Sequence, residues 1–257
     1  MIETRFFKQA DLLVQVMPFV NAEACFALKG GTAINFFVRD FPRLSVDIDL
    51  VYLPLEDRPT TLRGIGAALQ RIATKIRRAM PSVQVREHHA VGDKLLVKLT
   101  VGASDGAEVK IEPNTVLRGT LHPTAELNLS PKAVEMFGRS ATMRVVSLPD
   151  LFGGKLCAAL DRQHPRDQFE GMTLDPVPLA VLEEARERLI ERINANLTAA
   201  EREFLLSMKR LEPKWELLGL PGVERLPGPQ WKLYNLRKMD AAKRRAAEDQ
   251  LRKKLGL

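Results

Sequence analysis

The segment Ser45-Val46-Asp47-Ile48-Asp49-Leu50 sets two carboxylates on alternate residues of an otherwise aliphatic run. No other feature restricts the fold as strongly. Side chains alternate across a strand, so in a strand over Val46–Leu53 Asp47 and Asp49 leave one face, about 7 Å apart at the backbone. Val46, Ile48 and Leu50 leave the other. The aliphatic face asks to be buried, and the acids then need cations. Upstream, Cys25–Leu28 reads as a short apolar strand ending at the turn Gly30-Gly31, followed by a helical Thr32–Val38. Glycines at a helix start let backbone N–H groups approach phosphate oxygens, and the helix dipole adds attraction.

The remaining pattern extends this core. Helices are expected over residues 9–20 and Arg58–Met80; the latter carries Leu62, Ile65, Leu69, Ile72 and Ile76 at helical period and is stopped by Pro81. Three β-like runs follow, Val83–Val91, Lys94–Val101 and Glu108–Glu112, joined at Gly92-Asp93 and Ser104-Asp105-Gly106 as a meander continuing the sheet. Beyond Ser130, apart from a β-like run at Met143–Val146, helices fit Leu148–Leu160, Val177–Asn194, Thr198–Lys209 and Trp231–Lys254. The class is α/β: a mixed-sheet core over residues 1–130, then a mostly helical part over residues 131–257.

Composition narrows the partners. Of 257 residues, 45% are apolar and 28% charged, which excludes disordered and collagen-like classes. Lysine and arginine exceed the acids by 39 − 32 = +7, so a polyanion such as nucleic acid is the expected large partner. No apolar run approaches the roughly 20 residues that span a bilayer, and the start of the chain has no secretory pattern, so no membrane partner and a cytoplasmic location are expected. Cys25 and Cys157 lack metal-site spacing and are expected to be buried free thiols. His88, His89, His122 and His164 show no ligand pairing at helical spacing.

Two aspartates on one strand face suit magnesium, which prefers oxygen ligands and keeps waters and substrate phosphates in its shell. A third acid is wanted where two ions are held some 3.5–4 Å apart for in-line displacement. Glu108, Lys110 and Glu112 share a strand face, and Pro113 is expected to end that strand, leaving Glu112 beside the first two acids. An edge strand with outward charges accounts for the same run. Lys155 lies in an apolar helix whose Leu151, Phe152, Leu156 and Leu160 are expected to face the core, so its ammonium must snorkel or meet an anion. Asp167 follows Pro165, a residue that often opens a helix.

Taken together, these residues resemble the core of the nucleotidyltransferase superfamily related to DNA polymerase β. More closely, Lys29-Gly-Gly-Thr-Ala with Arg43-x-Ser45-x-Asp47-Ile-Asp49-Leu resembles the AbiEii/AbiGii family, toxins of bacterial abortive-infection and toxin–antitoxin systems. Leu151-Phe-Gly-Gly-Lys155 and Arg166-Asp167 resemble that family's later motif, with Glu170 where a second aspartate is expected. The resemblance implies transfer of a nucleoside monophosphate from an NTP to an acceptor, in some relatives the 3′ end of tRNA, with a cognate antitoxin as protein partner. It implies Mg²⁺ (or Mn²⁺) on Asp47, Asp49 and Glu112, phosphates on Gly30, Gly31, Thr32 and Lys155, and Ser45 orienting the triphosphate or the metal shell. Asp167 would orient Lys155, approach the metal or deprotonate the acceptor. The basic tail, with Lys243, Arg244 and Arg245, would contact RNA; a plain solvated helix explains it equally. Rival expectations are modification of a small molecule or a protein hydroxyl, and a non-catalytic NTP- or RNA-binding module.

Overall fold

The apolar halves of the alternating strands are covered by helices. In the computed structural model, which describes residues 5–42, 44–90, 94–162 and 179–257, the chain opens with helix α1 (Arg5–Asn21) and strand β1 (Phe26–Lys29). The short helix α2 (Gly30–Ala33) starts directly at the glycine pair and widens into a π-helical turn over Ile34–Val38. Next come β2 (Asp47–Tyr52), helix α3 (Arg58–Ala79), β3 (Gln84–His89), β4 (Leu96–Gly102) and β5 (Glu108–Arg118). Then β6 (Ala125–Asn128), α4 (Pro131–Phe137), β7 (Thr142–Val145) and α5 (Leu148–Arg162) follow.

The strands form one mixed sheet in the order β3-β4-β5-β2-β1-β7-β6. β3, β4 and β5 make the expected antiparallel meander, whose turn at Gly92-Asp93 lies outside the described residues. β5 then pairs parallel with β2, and β2 antiparallel with β1. Ile48, Leu50, Leu99 and Ile111 are fully buried in one cluster with Ile65, Leu69, Ile72 and Ile76 of α3 and Leu13 and Met17 of α1. At about 25 cal/mol per Å² of apolar surface, that layer is the main stabilising contribution to the sheet. Asp57 caps α3, accepting from the Thr60 N–H at 2.7 Å.

Several expectations change. β5 does not end at Pro113 but runs on to Arg118, and its register against β2 shifts between Leu50 and Tyr52. Proline cannot donate to a ladder, and a bulge is where a strand tolerates one. Asn114 closes the excursion, its Oδ1 accepting from the N–H groups of Val116 (2.9 Å) and Leu117 (2.7 Å). Glu112 is therefore an interior strand residue. Phe152 is exposed, whereas Leu151 is buried as expected. Cys25 is a free thiol but only half-buried, and the Cys157 side chain lies outside the described ones. The exposed edge strand β6 had no visible pattern in the sequence.

The sheet-bearing compact unit spans Met1–Lys155, beyond residue 130, because β7 pairs with both β1 and β6. The second unit, Leu156–Leu257, holds α6 (Leu179–Asn196), α7 (Ala199–Lys209), α8 (Pro227–Lys238) and α9 (Ala241–Leu255). The single helix expected over Trp231–Lys254 is two, because Asp240 accepts from the Lys243 N–H at 2.8 Å and caps a new start.

Where α1 leads into β1, Glu23 is buried and holds Arg71 at 2.7 Å and Lys75 at 3.1 Å, both on α3. Burial pushes its carboxyl pKa up, yet the bonds and charges of Arg71 and Lys75 prevail and hold it below the ordinary glutamate value. A depressed pKa contributes stability that is present above the unfolded-state value and lost as pH falls through the folded-state one. Glu23→Gln should therefore cost about 1–3 kcal/mol at neutral pH, less than a fully enclosed pair because the two cations reach solvent. In urea titrations the deficit should vanish as pH drops below the ordinary glutamate range. A constant deficit across that range would show that packing and not charge is responsible.

Candidate active site

Strand register gathers the acids. β2 lies between β1 and β5, so Asp49 faces Lys29 on one side and Glu112 on the other, while Asp47 faces Lys110. Asp49 sits over the start of α2. A Cβ built on Gly30 would lie 2.5 Å from Asp49 Oδ2, and Gly30 has φ +74°, in the left-handed region that favours glycine. Thus Gly30 is demanded both by its backbone and by the close approach of a carboxylate.

The strand start is clamped to α2. Thr32, fully buried, donates from Oγ1 to the Asp47 carbonyl at 2.5 Å, and its Oγ1 lies 2.6 Å from Ser45 Oγ. A hydroxyl has one proton. With Thr32's spent on the carbonyl, Ser45 is the donor in the second bond, and Thr32's hydroxyl is committed to holding Asp47 in place.

Lys155 reaches the site on α5, where its charge acts on Asp49. That helix is anchored at its first turn. Ser147 Oγ donates to Asp150 Oδ2 at 2.8 Å and accepts from the Asp150 N–H at 3.2 Å. Asp150 also accepts from the N–H groups of Leu121 (3.1 Å) and His122 (3.0 Å), tying the loop after β5 to α5. Ser147-x-x-Asp150 has capping spacing and could have been read from the sequence. Lys29 and Lys98 could not, since only strand register reveals what they face.

Burial raises the Asp49 pKa, with Asp47 and Glu112 adding to the rise and Lys29 and Lys155 opposing it. A half-buried carboxylate repelled by two others is a place where a divalent cation relieves an existing cost. The donor set of Asp47 and Asp49 fits such an ion, with phosphate oxygens and water completing its shell. Glu112 does not point a free carboxylate at them: its Oε1 is 2.6 Å from Lys98 Nζ. Among the described residues no three His, Cys, Asp or Glu side chains converge as a metal cage. Asp167, Arg166 and Glu170 lie outside the described residues, as does Arg43.

The basic tail belongs to the second unit. There Lys243 and Arg245 are exposed, Lys243 lies 3.5 Å from Asp240, and Arg244 donates to the Met239 carbonyl at 3.3 Å. Glu248, on the same helix, is paired with Arg210 at 2.9 Å and Arg252 at 3.1 Å, and Leu255 is buried. Part of α9 is thus engaged in holding its own unit together.

Two substitutions separate geometry from charge. Gly30→Ala should cost about 1–2 kcal/mol of stability for the left-handed backbone and displace the Asp49 carboxylate. Asp49→Asn should raise the unfolding temperature by a few degrees, because it removes a half-buried, repelled charge. Calorimetry on both variants tests this; a destabilised Asp49→Asn protein would mean that Lys29 and Lys155 outweigh burial.

No curated protein sequence matches the chain. Among solved structures, MenT4, a nucleotidyltransferase toxin from Mycobacterium tuberculosis H37Rv, is similar at 15% identity and a TM-score of 0.47, over 98% of this chain and 92% of that one. The family model described as nucleotidyl transferase AbiEii toxin, type IV toxin–antitoxin system, matches residues 11–169, a span holding the Gly30 turn, both aspartates, Glu112 and Lys155. The chain therefore belongs to the AbiEii family of type IV toxin–antitoxin systems and is a nucleotidyltransferase.

Proposed function

We propose that this nucleotidyltransferase moves a nucleoside monophosphate from an NTP to the 3′ hydroxyl of an RNA, tRNA first among them, using Mg²⁺ (or Mn²⁺). The observation that supports it most is the half-buried Asp49 carboxylate set against Gly30, flanked by Asp47 and Glu112 and offset by Lys29 and Lys155. Asp47 and Asp49 would hold the metal, which neutralises triphosphate charge. Backbone N–H groups at Gly30, Gly31 and Thr32 take phosphate oxygens, Lys155 pairs with the triphosphate, and Ser45 keeps the strand start aligned. Glu112 serves as third acid when Lys98 releases it. Asp167 belongs to the same proposal through the family motif.

In the reaction the acceptor oxygen bonds to the α-phosphorus, the bond from that phosphorus to the bridging oxygen of the β-phosphate breaks, and pyrophosphate leaves. The hydroxyl proton is released to solvent. Positioning and charge neutralisation account for the rate, as in other phosphoryl transfers. The excess of cations supports RNA over a small acceptor. Among the described residues no helix is long and apolar enough to cross a membrane, and the proposed setting is the cytoplasm, where a cognate antitoxin would restrain the enzyme.

Incubation with each α-labelled NTP, Mg²⁺ and total cellular RNA, followed by separation of RNA, protein and small molecules, should place the label in RNA. Label confined to protein or small molecules overturns the RNA acceptor. Lys155→Ala should lower NTP use about 10- to 150-fold, the equivalent of a charge-assisted contact worth roughly 1.5–3 kcal/mol. An unchanged rate and NTP affinity would remove Lys155 from the triphosphate.

A further inference from the structure

The sheet face that carries the acids changes sign along the strand order. In one row, Asp49 is in register with Glu112, whose carboxylate meets Lys98, which is itself in register with His88. In the next, Asp47 is in register with Lys110, Lys110 with Thr100, and Thr100 with Arg86. The rows run from carboxylates on β2 to cations on β4 and β3 within about 14 Å, three strand spacings. Helices α1 and α3 cover the opposite, apolar face. Lys110, His88 and Arg86 are exposed; Arg86 is paired with Glu108 at the surface, an exposed contact that a phosphate can replace.

The Gly30 turn lies on the other side of the acids, beyond β2 at the end of β1. In-line displacement at the α-phosphorus requires the leaving pyrophosphate and the attacking oxygen on opposite sides of the reacting phosphorus. If the pyrophosphate leaves toward Gly30 and Gly31, the attacking hydroxyl enters from the β5 side. Resting on the nucleotidyl transfer to RNA proposed above, we propose that the acceptor strand lies across the face of β5, β4 and β3, its phosphates held by Lys110 and Arg86. These two are positioning residues: they set where the 3′ end falls and leave the chemistry to the acids. The basic tail at Lys243, Arg244 and Arg245 is then not the principal RNA contact.

The test compares three full-length variants with the parent protein, using labelled NTP and total tRNA at several salt concentrations. Arg86→Gln/Lys110→Gln should raise the KM for tRNA on the order of tenfold. It should also flatten the log–log salt slope by about 0.7–0.9 per lost contact, with the KM for NTP unchanged. The charge-conserving Arg86→Lys/Lys110→Arg protein should keep the parental slope, and Lys243→Gln/Arg244→Gln/Arg245→Gln should change it less than the sheet-face pair does. If the parent labels tRNA and the sheet-face pair leaves the slope unaltered, or moves the KM for NTP as much as that for tRNA, the acceptor path is overturned while RNA transfer stands. If the parent labels no RNA, both are overturned together.

Discussion

A carboxylate that the fold must hold half-buried among like charges organises the first unit. Asp49 is costly where it stands: burial and two neighbouring acids oppose its ionisation. The fold tolerates this because Lys29 and Lys155 approach from two different elements and because Gly30 leaves room for the carboxylate. In the proposed function such a site, short of positive charge, would gain by taking a divalent ion and its triphosphate, because the cation would relieve the cost of the buried carboxylate.

Keeping Asp49 there sets the demands on its surroundings. The Thr32 hydroxyl pins the Asp47 carbonyl and takes a bond from Ser45, which fixes the strand start against α2. Ser147 and Asp150 pin the first turn of α5 to the loop after β5, which fixes the helix that delivers Lys155. Both sets of bonds determine where charged groups end, and displacement of an ångström at such a site costs rate out of proportion to stability.

The sheet divides its two faces between stability and chemistry. One face is aliphatic and buried under α1 and α3. The other carries charged residues in rows, Asp47 and Asp49 on β2, Lys110 and Glu112 on β5, Lys98 on β4 and Arg86 on β3. The proposed transfer to RNA would join two polyanions and need both signs within a few strand spacings, which a mixed sheet with β2 beside β5 offers on one surface.

Local patterns in the sequence determined a good deal. Strict alternation announced β2 and the shared face of Asp47 and Asp49; helical spacing announced α3 and its buried stripe; glycines announced the start of α2. Each is a property of a few consecutive residues. The partner of Glu112, the company of Asp49 and the approach of Lys155 were decided only by tertiary structure, because they depend on which strands become neighbours and in what register. Pro113 illustrates the difference: read locally it ends a strand, but parallel pairing with β2 outweighs its missing N–H and carries β5 on through a bulge. Asp240 does the reverse, since its capping bond breaks a run that periodicity reads as one helix. Side-chain type and spacing encode what a segment buries; the sum of long-range pairings decides what it faces.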